Sequence, residues 1–362
     1  MARALEEAQS IAIGTFEGST AATAKKSLAV QFGQHSELGL VDQKSARFVI
    51  SGTSVSGRIT ARLTERSGAV VFERTYGAPE LDDNVAALAD DVVMAITGLP
   101  GAAGSRIVFV SNVGGTKQVH VCKSDGSGLM RVTSSPNGAV SPAISPDGSL
   151  LAYTSYQTGF PVVMMVDLGG GMERQLASTP GANSGVAFAP EDRRAALTMS
   201  FLGNPEIFVV DLGTHNAICI TESTGAPASP TWHPGGELLM FASDENGSGS
   251  QLYVVDVGSE SAAELWPAGY RFVTDPEWSP DGEQIAYTAK LAGDWAVVVK
   301  PYSGGRARVL RRGGAQHPTW SPDGKSIAYV QSGQLWVHDL ETDARRSIVR
   351  GMGEISEPRW MR

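Results

Sequence analysis

One motif recurs along this chain of 362 residues and constrains its fold more than any other feature. The copies read SPAISPDG (141–148), GVAFAPED (185–192), SPTWHPGG (229–236), DPEWSPDG (275–282), HPTWSPDG (317–324) and EPRWMR (357–362). Each carries a bulky apolar residue at one offset: Ile144, Phe188, Trp232, Trp278, Trp320 or Trp360. Separations of 44, 44, 46, 42 and 40 residues mark a structural repeat. Five copies lead into a second apolar run (LLAYTS, RAALTMS, LLMFAS, QIAYTA, SIAYVQ). A third run follows (PVVMMVDL, PEIFVVDL, QLYVVDV, WAVVVKP, QLWVHDL), then a short fourth such as RQLAS, AICIT or ARVLR. The runs are rich in Val, Ile, Tyr and Trp and are punctuated by Gly, Asp and Asn, which are strand and hairpin signals. Four short strands per repeat of this length is the spacing of a propeller blade.

The first repeat lacks its anchor. RIVFVSN (106–112), KQVHVCKSDG and MRVTS match the second, third and fourth strands, and the segment around Trp360 supplies the missing first one. Six second strands, near residues 107, 151, 195, 239, 285 and 327, predict six blades. Pairing both ends in one blade removes the open edge that an unclosed sheet would expose. The expected fold is therefore mainly β: a six-bladed propeller over 101–362, closed by its C-terminal strand and preceded by a small α+β domain over 1–100. In that first domain SIAIGTF (10–16), RFVISG, RITARL and AVVFERTY read as strands, and 19–35 as a helix with a Ser or Thr cap. A second helix is predicted over 81–97, with Leu81, Val85, Leu88, Val92 and Ile96 on one face. TGLPGAAG (97–104) reads as its stop and a short linker.

Composition narrows the partners. A net charge of −9 argues against nucleic acid or an anionic membrane surface, because binding phosphate calls for a basic face. No apolar run is long enough to span a bilayer, and MARALEEAQS lacks the apolar core of a signal peptide. Cys122 and Cys219 sit in strand-like runs and read as small buried hydrophobes, with a disulfide between them as the alternative.

Chemistry is hard to find. The histidines, at 35, 120, 215, 233, 317 and 338, form no metal spacing and read as structural or surface residues, although His233 and His317 could approach the axis. GTSVSG (52–57) has Ser56 where a nucleophile elbow needs Gly, and DLGGGM (167–172) leads into a strand, not the helix that a phosphate cradle needs. The Asp-Gly pairs at 147, 281 and 323, and Asp167, Asp211, Asp256 and Asp339, read as turn-formers before metal ligands. No catalytic residue, metal or cofactor is expected. Binding is better supported. Loops entering the first strand and those joining the second to the third share one face and vary in sequence, as recognition loops on a rigid scaffold do. That mouth is expected to bind a protein through Asn137, Ala182, Asn183, Ala228, Ser229, Asp275, Gln316, His317 and Glu357. Tyr156, Phe160, Phe201 and Trp295 either stand exposed beside it or tuck between blades.

The WSPDG anchors followed by IAYTS-like strands, the VVDL strand ends and the junction VMAITGLPGAAGSRIVFVS together resemble the TolB family, the periplasmic component of the Tol-Pal envelope system. The resemblance implies a monomeric, non-enzymatic adaptor whose channel mouth receives a Pal-like lipoprotein and whose N-terminal segment engages a TolA-like protein. The family's His-Asn-Gly-Ala run before the second anchor reads Ala182-Asn183-Ser184-Gly185 here, and its Thr before Glu-Pro-Thr-Trp is Ala228. Two rival readings remain: a ligand-binding or hydrolytic propeller whose channel takes a sugar or small anion, and a propeller separated from a partner hydrolase.

Overall fold

Alternating apolar runs joined by tight polar turns can bury both faces only by pairing antiparallel and stacking, and that is what the chain does. A computed structural model describes residues 9–32, 38–98, 101–190, 193–259 and 262–361. His35, the opening segment 1–8, residues 33–35 of the expected first helix and 99–100 of the expected linker lie outside the described residues. The chain divides into two compact units, Met1–Gly104 and Ser105–Arg362.

The first unit is a mixed sheet with two helices. β1 (Gln9–Glu17), α1 (Ala21–Phe32), β2 (Leu38–Leu40), β3 (Phe48–Val55), β4 (Arg58–Glu65), β5 (Val70–Tyr76) and α2 (Leu81–Thr97) follow in order. The strands lie as β2-β1-β3-β4-β5, with β1 parallel to β2 and β3. β2, three residues long, was not anticipated. The Thr20 hydroxyl meets Ser54 Oγ at 2.7 Å, tying the start of α1 to β3. Val85, Leu88 and Val92 of α2 pack with Leu28, Phe32, Ile50, Ile59 and Leu63 in one core, as the helical spacing predicts. α2 stops at Gly98, whose left-handed φ of 73° lets its N–H reach Met94 O.

The second unit is six four-stranded antiparallel sheets. Taking the closing blade as blade 1, the inner strands are Ile355–Met361, Ala139–Ile144, Asn183–Phe188, Ala228–Trp232, Val273–Trp278 and Gln316–Trp320 for blades 1 to 6. Blade 1 is sealed as the sequence predicts: Trp360 pairs with Ile107, Arg359 with Val108 and Ile355 with Ser111. The Trp360 indole N–H also donates to Ser105 Oγ at 2.8 Å. Trp232, Trp278 and Trp320 are buried between neighbouring blades. The Trp232 and Trp320 indoles donate to Ala187 O and Glu277 O, on the inner strands of the preceding blades, at 3.0 and 3.2 Å.

The repeated aspartates shape turns. In each Ser-Pro-Asp-Gly corner the serine hydroxyl donates to the aspartate, and the carboxylate accepts the N–H two residues on, from Ser149, Glu283 or Lys325. Asp167, Asp211, Asp256 and Asp339 accept backbone N–H groups in the same way at the next corner. One of the two cysteines differs from expectation. Cys122 is buried, but Cys219 lies exposed on the outermost strand of blade 3, and both are free thiols. A short outer strand packs against one neighbour only, so its apolar residues remain in solvent.

Candidate functional site

Six inner strands around one axis place the same repeat offset at the same height in every blade. At one such height the ladder breaks, with a register shift in each inner strand. The residue at the break has left-handed φ in all six: Ser141 (51°), Gly185 (66°), Ser229 (53°), Asp275 (50°), His317 (53°) and Glu357 (52°). Proline follows in five, and having no N–H to leave unpaired it suits a bulge. Only glycine enters this region freely. A non-glycine residue there costs about 1–3 kcal/mol, and such strain clusters at functional sites.

Chemically the ring is lopsided. Blades 2, 3 and 4 present Ser141, Gly185 and Ser229, with Ala143, Ala187 and Thr231 two residues on. Blades 5, 6 and 1 present Asp275, His317 and Glu357, with Glu277, Thr319 and Arg359 two residues on. His317 Nδ1 lies 3.2 Å from Asp275 Oδ2, with side chains 26 % and 15 % exposed, and the His317 backbone N–H donates to Thr288 Oγ1 at 3.0 Å. Glu357 accepts the Ser141 backbone N–H, joining blade 1 to blade 2. In the second layer Glu277 accepts from the Thr319 hydroxyl and the Trp320 N–H, both at 2.8 Å, while Arg359 stands 3.9 Å from its other oxygen. The Trp360 N–H donates to Thr319 Oγ1 at 3.0 Å.

These contacts set the protonation states. Burial pushes the Asp275 carboxyl up, but the His317 ring and then the Arg359 charge hold it below the usual carboxylate range. Burial pulls His317 down, yet Asp275 and then Glu357 outweigh it, so the ring keeps its proton to higher pH than an ordinary imidazole. Glu277 is raised, because its burial exceeds what Arg359, Trp320 N–H and the Thr319 hydroxyl restore. Among the described residues no group of three or more His, Cys, Asp and Glu is placed to hold a metal ion.

Of the residues singled out from sequence, Ser229, Asp275, His317 and Glu357 fall on the strained ring itself. Gln316 precedes His317 and is half-buried, Ala228 is exposed beside Ser229, and Asn137 is exposed in the loop before blade 2, with its amide 3.5 Å from Gln157 O. Ala182 is half-buried, its N–H held by Ser200 Oγ at 2.7 Å. Asn183 is different. It is 0 % exposed, and its amide is taken up by Pro161 O, Thr179 O, Gly181 O and the Thr179 hydroxyl. A saturated buried amide shapes a loop and is not available to a partner. His233 lies off the strained ring, in the corner turn after its inner strand, where Nδ1 accepts the Gly235 N–H and the ring packs edge-on to Trp278. Phe160 (74 % exposed), Phe201 and Tyr156 stand in solvent, whereas Trp295 is half-buried with Lys290 5.6 Å from its ring. Ser141, Gly185, Glu277, Thr319 and Arg359 were not foreseen. Their signal was the pair of offsets flanking the position that holds proline in five copies and Val186 in the third, read through all the copies.

A family model described as the TolB beta propeller domain matches residues 93–362, about three quarters of the chain. The chain belongs to the TolB family. Curated TolB homologues from Chlorobaculum tepidum and Chlorobium luteolum are 34 % identical over 125 residues and 31 % identical over 191, stretches covering 33 % and 52 % of this chain and 29 % and 43 % of theirs. The Tol-Pal system protein TolB of Bordetella pertussis is 38 % identical over 167 residues, 46 % of this chain and 38 % of its own. These matches therefore span less than half the length of each curated TolB relative. The crystal structure of TolB from Acinetobacter baumannii shares the fold over 98 % of this chain and 97 % of its own, at a TM-score of 0.75 and 23 % identity. A chain of a nidogen/laminin complex also matches, at TM-score 0.58 and 12 % identity over 71 % of this chain and 98 % of its own, so the propeller by itself carries no function.

Proposed function

We propose that this TolB-family chain is a non-enzymatic periplasmic adaptor of a Tol-Pal-like envelope system, whose propeller mouth docks a Pal-like lipoprotein. The observation that supports this reading is the ring of strained inner-strand residues, five of them not glycine, found at one repeat offset in all six blades. Strain retained at one height in every blade, with ionisable groups on three adjacent blades, suits a preorganised protein-docking rim better than a fold that only needs to close. Family membership supplies the partner class. The lopsided charge orients that partner: its polar or cationic groups face Asp275 and Glu357, and its neutral surface meets Ser141, Gly185 and Ser229. A TolA-like protein engaging the N-terminal segment is the second contact of the same reading, and a monomer is the form that leaves the mouth open.

Isothermal titration calorimetry against the soluble domain of the Pal-like lipoprotein from the same genome tests this. His317→Gln and Glu357→Gln are expected to weaken binding roughly tenfold or more each, the size of a lost charge-assisted contact. Asn183→Ala should act only through loop stability. Absence of binding by the unmodified chain refutes the partner; binding unchanged in both rim variants refutes the mouth.

A further inference from the structure

The six seams between blades are not equally filled. Four are closed by an indole carried on the inner strand of the following blade: Trp232, Trp278, Trp320 and Trp360. Trp232 shows the arrangement in full, with its N–H on Ala187 O at 3.0 Å and the Arg194 guanidinium 5.4 Å from the ring centre. Between blades 2 and 3 the equivalent anchor is Phe188, smaller and without an N–H, and Leu150 stands where the next blade has Arg194. Here the surface opens into a cleft of about 460 Å3, within the size range of ligand sites. Phe188, Leu150, Leu212 and Pro190 form its apolar wall, while Arg174 and Arg193 reach it from exposed positions. Asp147 also lines it, but its carboxylate is taken up by the Ser145 and Ser149 hydroxyls and the Ser149 N–H.

We propose that this cleft is a second binding site, distinct from the mouth, that takes an aromatic side chain of an acidic peptide segment, the ring against Phe188 and Leu150 and the flanking carboxylates on Arg174 and Arg193. The sibling seams supply the argument for a peptide-borne ring, because each is built to receive an indole presented by a strand. Charge complementarity supplies the argument for acidity: Arg174 and Arg193 rim an apolar hollow whose one lining carboxylate, Asp147, is already taken up, and Arg193 shares its charge with nearby Asp211 while Arg174 stands exposed.

The probe is the blocked tripeptide Asp-Trp-Asp carrying 5-fluorotryptophan, followed by fluorine NMR on the whole chain. Broadening and shift of its resonance are expected, with the Lys-Trp-Lys analogue binding at least about tenfold more weakly, as are Arg174→Ala and Arg193→Ala with the acidic probe. Phe188→Trp should supply the missing indole from within, keep or raise the melting temperature and abolish binding. No binding by the unmodified chain at millimolar probe, equal binding of the lysine analogue, or full binding by a folded Phe188→Trp variant would each overturn the proposal.

Discussion

At the scale of single residues, the inner-strand ring is held by a few groups whose charge states depend on one another. The folded pKa of His317 lies above its ordinary 6.5, so its contribution to stability is complete below that value and is lost as pH rises through the folded value. Glu277, also raised, acts in the same sense. Asp275, lowered, contributes above its ordinary 3.8 and loses that contribution as pH falls through its folded value. Melting temperature should therefore fall on the acid side as pH drops below 3.8 through the folded value of Asp275, and on the alkaline side as pH rises above 6.5 through the folded value of His317. His317→Gln should flatten the alkaline arm, and a decline of unchanged slope in that variant would remove the ring from the account. Glu277 offers a sharper contrast. Glu277→Gln keeps an oxygen for Thr319 and Trp320 and should be near neutral in urea unfolding. Glu277→Leu strands both donors and Arg359, and should cost about 2–4 kcal/mol. Four ring positions were legible because they end the variable loops that lead into the repeated anchor. The partners of Glu277 were not, since blade-to-blade neighbours some forty residues apart carry no local signal.

At the scale of elements, the corner turns show what glycine contributes. Gly324 and Gly282 hold left-handed φ of 71° and 74° at equivalent corners. A Cβ at Gly324 would meet Pro280 Cδ at 3.7 Å, ordinary contact, whereas one at Gly282 would come within 2.3 Å of His233 Nε2. Gly324→Ala should thus show only the backbone penalty of about 1–2 kcal/mol, and Gly282→Ala a further ~1–3 kcal/mol for displacing a ring wedged on Trp278. Chemical denaturation of the two variants side by side checks the ordering; equal losses would mean that His233 yields freely. The same corners explain why the turn chemistry was readable in advance: Pro, Asp and Gly act through their own backbone. Burial of Asn183 and exposure of Cys219 were not readable, because each depends on which neighbour covers the segment. β2 escaped notice for a related reason, since three residues in parallel pairing leave no periodicity.

At the scale of the whole molecule, stability of the second unit rests on closure. Removing 357–362 deletes the pairing of Arg359, Trp360 and Met361 with Val108, Ile107 and Arg106, together with the Ser105 contact. It also uncovers apolar cluster residues Phe109 and Val337 of the neighbouring strands. This variant should melt far lower and less cooperatively than Trp360→Ala, which should lose about 3–5 kcal/mol as a large-to-small seam change. Calorimetry on both compares them, and similar melting of the truncated and unmodified chains would show that the ring does not need its seal. The sequence by itself determined the number of blades, the strand order within each and the end-to-end seal. A repeat of fixed length states its own architecture, and period-two apolar runs state which faces are buried. Only the tertiary structure decided that the strained inner-strand ring is charged on one half and neutral on the other, that Asn183 is locked inside a loop, and that Phe188 leaves a cleft at its seam. Those outcomes depend on side chains brought together from different repeats, where volume and distance decide what touches and what remains open.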